Sequence, residues 1–305
     1  MKIGVDVGGS HVGVGLINAQ GKIVAKEEKD LNNNGKAADY NERLTKTIIE
    51  LITSILENTK TDIKKVSLIG IAIPGTVSET HIVKAENLHI KNYNITAEIN
   101  KYFNIPIILR NDAKCAALAE KEYGSLKKCD DGVFLTIGTG VGGAVFLNGN
   151  LLRPKKYEGF EIGHMAIDRH GIKCNCGREG CFERYASMKA FKDKIQEEFK
   201  NPDLTGKEIK ALVSDEKNKV RIEKIINEYV EDLSIGLANL INIFEPEIVS
   251  IGGSFVYFED IFVEKIKKTL VEKDMLFNDD SMPKFAMAEL MNDAGIIGAT
   301  IEYNK

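Results

Sequence analysis

The plan of residues 2–24 recurs at residues 132–153, and a chain built that way is constrained to a duplicated architecture. In the first copy an apolar run, Lys2–Val7, meets Gly8-Gly9-Ser10, resumes over His11–Asn18 and turns at Gln20-Gly21 into Lys22–Lys26. In the second copy Val133–Ile137 meets Gly138-Thr139-Gly140-Val141-Gly142-Gly143, resumes over Ala144–Leu147 and reaches Asn148-Gly149 before Asn150–Leu152. Short β-forming runs bounded by glycine, with Asn-Gly as a hairpin signal, predict strand, glycine turn, strand and hairpin in each copy. The expectation is two lobes, each carrying one mixed sheet, with a cleft between them.

Outside the copies, helical and strand periodicities alternate. Leu44–Glu57 has apolar residues at helical spacing (Leu44, Ile48, Leu51, Ile52, Ile55) and reads as an amphipathic helix. Val66–Ile73 reads as a buried strand ending at Pro74-Gly75. Ile105–Leu109 reads as another, running into Arg110-Asn111-Asp112-Ala113. Helices are expected over Thr96–Phe103, Lys114–Tyr123, Ser187–Phe199, Lys207–Ser214, Lys219–Ile243, Glu259–Glu272 and Ala294–Tyr303. Glu247–Ile251 reads as a strand stopping at Gly252-Gly253-Ser254. Strands alternating with helices give the α/β class. The net charge is −4 and no basic block exceeds a Lys pair, which argues against a nucleic-acid partner. No apolar run reaches the roughly 18 residues of a membrane span. The first residues are strand-like rather than secretory, and the five cysteines do not form a disulfide framework, so a cytoplasmic setting is expected.

Three of those cysteines, Cys174, Cys176 and Cys181, share one short stretch downstream of His164. Three thiolates and one imidazole suit Zn²⁺ in a closed tetrahedral site, structural rather than catalytic. His170 stands nearer to Cys174, but His164 is favoured because Glu161-Ile162-Gly163-His164 accounts for more of the surrounding sequence. Such a metal would fix Glu161 and Glu183 near one another, and paired carboxylates can grip vicinal sugar hydroxyls. The plainer alternative is a zinc-stapled loop with solvated glutamates.

Gly138-Thr139-Gly140 superficially matches a dinucleotide fingerprint, but a strand follows where that motif needs a helix. Glycine hairpins can also cradle phosphates through backbone N–H groups, and two at equivalent places point to a nucleotide. Asn111-Asp112 stands at the carboxyl end of a buried strand, where ligands of open α/β sheets bind. Asp112 reads either as a helix N-cap or as a general base that accepts a sugar hydroxyl's proton.

These motifs, in this order, resemble the ROK family of sugar kinases and repressors. The resemblance rests on Asp6-Val-Gly-Gly-Ser10, Asn111-Asp-Ala113, Gly138-Thr-Gly-Val-Gly-Gly143, Glu161-Ile-Gly-His164, Cys174-x-Cys-Gly-x-x-Gly-Cys-x-Glu183 and Asp293-Ala-Gly-Ile-Ile-Gly-Ala299. It therefore spans essentially the whole chain. It implies an actin-like ATPase (ribonuclease H-like) duplicated fold, two lobes closing around ATP, Mg²⁺ and a hexose. Residues 1–111, joined by a C-terminal helix at about 294–305, would form the smaller lobe, and 112–293 the larger one with the zinc loop. By the same resemblance Asp112 is the base at the sugar 6-hydroxyl. Gly75, Asn87, Asn111, Glu161, His164 and Glu183 stand on the sugar side, and His164 also ligates zinc beside Cys174, Cys176 and Cys181. Gly8, Gly9, Ser10, Thr139 and Gly140 would face the phosphates, Asp6 would lie near Mg²⁺, and Gly252 and Gly253 near the nucleoside.

The implied activity is ATP-dependent phosphorylation of a hexose, glucose first, with N-acetylmannosamine or N-acetylglucosamine as alternatives, in a homodimer. A sugar-responsive transcriptional regulator is the alternative from another class. Repressors of the family resemble this chain only after an added helix-turn-helix domain, and here the phosphate motif begins at residue 6, so a kinase is expected. Some positions depart from the family pattern. Ser10 stands where Thr is usual, Glu86 replaces the proline of a Pro-Asn-Leu loop, Phe160 stands where many relatives have Gly, and the chain has no Trp. They bear on which hexose is bound.

Overall fold

The structure is a computed structural model that describes residues 1–9, 11–31, 40–154, 161–278 and 280–302. Ser10 and Phe160 lie outside the described residues, as does the side chain of Asn87. The chain enters as an antiparallel meander, β1 (Lys2–Val7), β2 (His11–Ile17) and β3 (Ile23–Asp30). Helix α1 (Tyr40–Asn58) returns it to β4 (Leu68–Ile73), which is parallel to β1. A small sheet, β5 (Thr76–Val77), β6 (Ile82–Ala85) and β7 (Ile90–Tyr93), and α2 (Ile95–Asn100) lead to β8 (Ile107–Asn111), followed by α3 (Asp112–Tyr123). The order of the main sheet is β3-β2-β1-β4-β8.

The second meander is β9 (Gly132–Ile137), β10 (Val141–Leu147) and β11 (Asn150–Leu151). Helices α4 (Glu183–Ala186), α5 (Met188–Glu198), α6 (Gly206–Ser214) and α7 (Lys219–Phe244) precede β12 (Ile248–Gly252). Helix α8 (Glu259–Glu272), β13 (Lys284–Met287) and α9 (Ala294–Ala299) complete the chain. This sheet runs β11-β10-β9-β12-β13, so each sheet is a meander extended past its first strand by two parallel strands. That is the duplication expected from the glycine turns. Among the described residues no helix is long and apolar enough to cross a membrane.

The chain forms two compact units. One comprises Met1–Lys127, Arg153–Gly159 and Leu290–Lys305, the other Lys128–Leu152 and Phe160–Glu289. The first boundary therefore lies past α3, not at residue 111. The reason is packing: the backbone of α3 at Cys115 runs so close to α9 that a Cβ on Gly298 would stand 1.7 Å from the Cys115 carbonyl oxygen. Helix α9 in turn lies on the sheet, and Cβ atoms on Gly4 and Gly70 would come within 2.0 Å of the carbonyls of Ile296 and Ala299. Glycine inside a strand marks such a close backbone approach.

Several element ends differ from expectation. Strand β10 begins at Val141 rather than Ala144, so Gly142 and Gly143 belong to the strand and the turn is only Gly138–Gly140. Strand β3 continues to Asp30 because its charged residues are exposed or ion-paired, with Lys26 bonded to Glu28 and Lys29 to Glu50. Helix α9 stops at Ala299, where the Thr300 hydroxyl bonds back to the Ile297 carbonyl. The second unit's core sets Phe191 and Phe262 against Tyr229, with Phe255 and Phe258 packed on Phe262. The buried Tyr229 hydroxyl donates to the Ala186 carbonyl at 2.9 Å.

Candidate functional site

In the first unit, the parallel strands β1, β4 and β8 end together. Asp6 pairs with Ala72, Ala72 with Arg110, and Ile73 with Asn111, so one sheet edge carries Asp6, Asn111 and Asp112. Asn111 rather than Asp112 caps α3: its Oδ1 accepts from the Lys114 N–H at 3.2 Å. Its Nδ2 donates to the Gly75 carbonyl at 3.0 Å, which ties the end of β8 to the turn after β4. Gly75 has φ +99°, and a Cβ there would meet the Lys84 carbonyl at 2.3 Å, so the small sheet lies directly against it. Asn87 follows in the short turn Glu86–Leu88, where Glu86 makes an ion pair with Lys84.

Asp112 opens α3, and its Oδ1 accepts from the Ala113 N–H at 2.8 Å. Relieved of the cap, it is a half-buried carboxylate at the carboxyl end of a strand. Asp6 lies on the same edge. Burial first, and the negative charge of Asp112 second, raise the Asp6 carboxyl to about 7, against the opposing pull of Lys26. The Gly8 N–H donates to the His11 carbonyl at 2.9 Å, closing a tight turn over Gly9.

In the second unit the Gly138–Gly140 turn follows β9 and is closed by the Gly138 N–H on the Gly140 carbonyl at 2.9 Å. Thr139 is exposed at its tip. Gly252 pairs with Thr136, and a Cβ on Gly253 would stand 2.6 Å from the Ile137 carbonyl oxygen. The two glycine features are thus neighbours at the carboxyl ends of β9 and β12. Glu183, the first residue of α4, reaches the same place, with its Oε2 accepting from the Val141 N–H at 3.2 Å. Glu161 is exposed at the head of the turn Ile162–His164.

His164, Cys174, Cys176 and Cys181 converge, with all four donor atoms within 4.8 Å of one another. His164 Nδ1 is 3.7 Å from Cys174 Sγ, and Cys176 Sγ is 3.6 Å from Cys181 Sγ. Donors about 2.0–2.3 Å from a tetrahedral centre stand roughly 3.5–3.8 Å apart, so this set fits Zn²⁺. His170 is not in the cluster. Backbone geometry shapes the ligand loop: the Cys174 N–H donates to the Arg178 carbonyl at 2.8 Å around Gly177, whose φ is +90°. Phe182, wholly buried, docks on α7 where Gly236 leaves room; a Cβ there would be 2.2 Å from its ring.

Sequence reading missed two supports of these sites. Gly295 makes space for the Asp6 carboxylate, and Gly236 receives Phe182. The signal for the first was the Ala-Gly pair after Asp293; a lone glycine inside a long helix was the signal for the second.

A doubled sheet of this order, with carboxylates and glycine turns at its strand ends, defines the actin-like ATPase fold. The chain belongs to the ROK family, whose sequence profile matches residues 2–304. It is similar to the glucokinase of Thermotoga maritima, 34% identical over 97% of this chain and 95% of that protein. It is also similar to the xylose repressor of Caldicellulosiruptor bescii, 27% identical over 97% of this chain and 76% of the repressor. Among solved structures, the ROK hexokinase of Thermus thermophilus matches with a TM-score of 0.77 and 26% identity, over 98% of this chain and 96% of that one.

Proposed function

We propose that the protein is an ATP-dependent hexose kinase that phosphorylates the 6-hydroxyl of an aldohexose, glucose being the first candidate. The observation that carries this reading is the carboxylate pair Asp6 and Asp112 on one sheet edge, close enough that the charge of one raises the pKa of the other. A carboxyl perturbed by burial and a neighbouring charge marks a candidate functional site. The 34% identity to a glucokinase supports the same reading.

Asp112, oriented by the Ala113 N–H, accepts the proton of the 6-hydroxyl as that oxygen attacks the γ-phosphorus. The bond from phosphorus to the β–γ bridging oxygen breaks, and ADP leaves. Asn111, Gly75, Asn87, Glu161, His164 and Glu183 hold the remaining sugar hydroxyls. Gly8, Gly9, Ser10, Thr139 and Gly140 face the phosphates, and Gly252 and Gly253 the nucleoside. Mg²⁺ near Asp6 would neutralise charge on the β- and γ-phosphates. Zinc on His164, Cys174, Cys176 and Cys181 would supply a closed cross-link with no open position for water.

The test is sugar-dependent ADP release from Mg²⁺-ATP, with glucose, mannose, fructose, N-acetylglucosamine and N-acetylmannosamine in turn. Strong turnover on one member is expected and names the substrate. Sugar binding without turnover on any would favour the second reading, a sugar-responsive regulator, which the similarity to a xylose repressor keeps in view.

A further inference from the structure

We propose that Glu183 is a positioning residue for the Gly138–Gly140 turn, transmitting the order of the zinc-ligand loop to the backbone assigned above to the phosphates of ATP. The functional half of this inference rests on that assignment; the structural half does not.

Glu183 Oε2 accepts from the Val141 N–H at 3.2 Å and stands where a side chain on residue 140 would lie, 2.4 Å from a Cβ built on Gly140. The lack of a side chain at Gly140 therefore admits this carboxylate, whatever it also offers a phosphate. A charged acceptor makes a stronger bond to a backbone N–H than a neutral one.

The carboxylate is itself held from behind. Cys181 is one of the four clustered donors, and Phe182 is buried against Gly236, so both residues before Glu183 are immobilised. The Phe182 N–H donates to the Met165 carbonyl at 2.7 Å, and the Ser187 N–H to the Glu183 carbonyl at 3.2 Å. A second strut comes from α5, whose Lys189 N–H donates to the Gly138 carbonyl at 3.2 Å. The turn is thus gripped at its first residue by α5 and at its exit by Glu183. A carboxylate offers about four lone-pair sites, so this bond does not exclude a sugar contact by the same group.

The test compares the full, zinc-loaded chain with Glu183→Ala and Glu183→Gln. Zinc content, amide exchange over residues 137–143 and AMPPNP affinity without sugar are measured on each. Glu183→Ala should raise exchange at Val141 and its neighbours roughly ten-fold or more, with zinc retained. AMPPNP binding should weaken about five-fold or more, with Glu183→Gln between the two. Unchanged exchange in zinc-replete variants would overturn the proposal. Raised exchange with unchanged AMPPNP affinity would overturn the link to the phosphates. If the wild-type chain binds no AMPPNP, the ATP reading itself fails, and exchange still decides whether Glu183 holds the turn. Should Glu183→Ala lose zinc or fail to fold, Glu183→Gln, which keeps the side chain's volume, supplies the same readouts.

Discussion

The carboxylate of Asp6 fills the space beside Gly295: a Cβ at residue 295 would stand 2.4 Å from Asp6 Oδ2 and 2.5 Å from its Cγ. Helix α9 cannot retreat to make room, because its far end is wedged against Cys115 through Gly298. Any side chain at 295 must therefore displace the carboxylate. Gly295→Ala should cost about 1–3 kcal/mol in denaturant unfolding, less whatever alanine regains in helix propensity. Turnover should fall much further than the small unfolded fraction explains. Wild-type kcat in a merely less stable variant would separate Asp6 from the reaction.

Asp6 also makes stability depend on pH. Its carboxyl, raised to about 7, holds a proton more tightly in the folded than in the unfolded chain. The stabilisation is complete below the unfolded value, roughly 4, and is lost as pH rises through the folded one. Asp6→Asn is neutral at every pH and lacks this slope. Between about pH 5 and pH 8, metal-free wild type should lose about 1–3 kcal/mol more stability than Asp6→Asn. Parallel pH profiles for the two proteins would show that Asp6 titrates normally.

What the sequence made legible, and what it hid, follows from the range of the forces involved. The cluster of His164, Cys174, Cys176 and Cys181 and the two glycine turns are local patterns, so both were readable from spacing. Asn111 and Asp112 are both good capping residues, and which one caps depends on where β8 ends, a one-residue matter settled by pairing with β4. Gly142 and Gly143 looked like turn, yet Gly143 lies in β10, where a Cβ would press on the Phe134 carbonyl at 2.6 Å. Glu120 falls inside the helix expected over Lys114–Tyr123, where nothing in the spacing marks it for burial. It is fully buried, because Ser125 N–H and Oγ–H and the Leu290 N–H all donate to it at 2.8 Å. Leu290 is remote in sequence, as is α9 from α3, and no local pattern announces such partners.

Cys176→Ser leaves three of the four clustered donors. Bound zinc should fall well below one per chain by elemental analysis, with a lower Tm, because losing a metal cross-link removes its share of the folding free energy. The KM for the hexose should rise roughly 10-fold or more through Glu161 and Glu183, in keeping with the cost of disturbing groups that orient a site. A metal-free variant with wild-type KM would show that the loop holds its shape on backbone bonds alone.

Gly236 tests the other anchor of that loop. Gly236→Ala puts a methyl about where the Phe182 ring lies, 2.2 Å from its nearest atom, in the fully buried heart of the second unit. Overpacking of this kind costs about 1–3 kcal/mol. Because Phe182 is flanked by Cys181 and Glu183, the variant should also bind zinc less tightly, measured by competition with a chromogenic chelator. Unaltered zinc affinity would show that Phe182 fills the core without orienting its neighbours.

Asp112→Asn is the most direct test of the chemistry. The amide keeps the side chain's size and can still accept from the Ala113 N–H, so α3 and the Asn111 cap should survive and Tm should shift little. An amide cannot take the hydroxyl proton, and a positioned base contributes about 10²–10⁴ in rate. The expected outcome is a loss of kcat of that order with hexose affinity nearly intact, measured by ADP release and calorimetric titration. Loss of sugar binding in step with kcat would instead make Asp112 a ligand for the sugar. Turnover near the wild-type rate would remove it as the base.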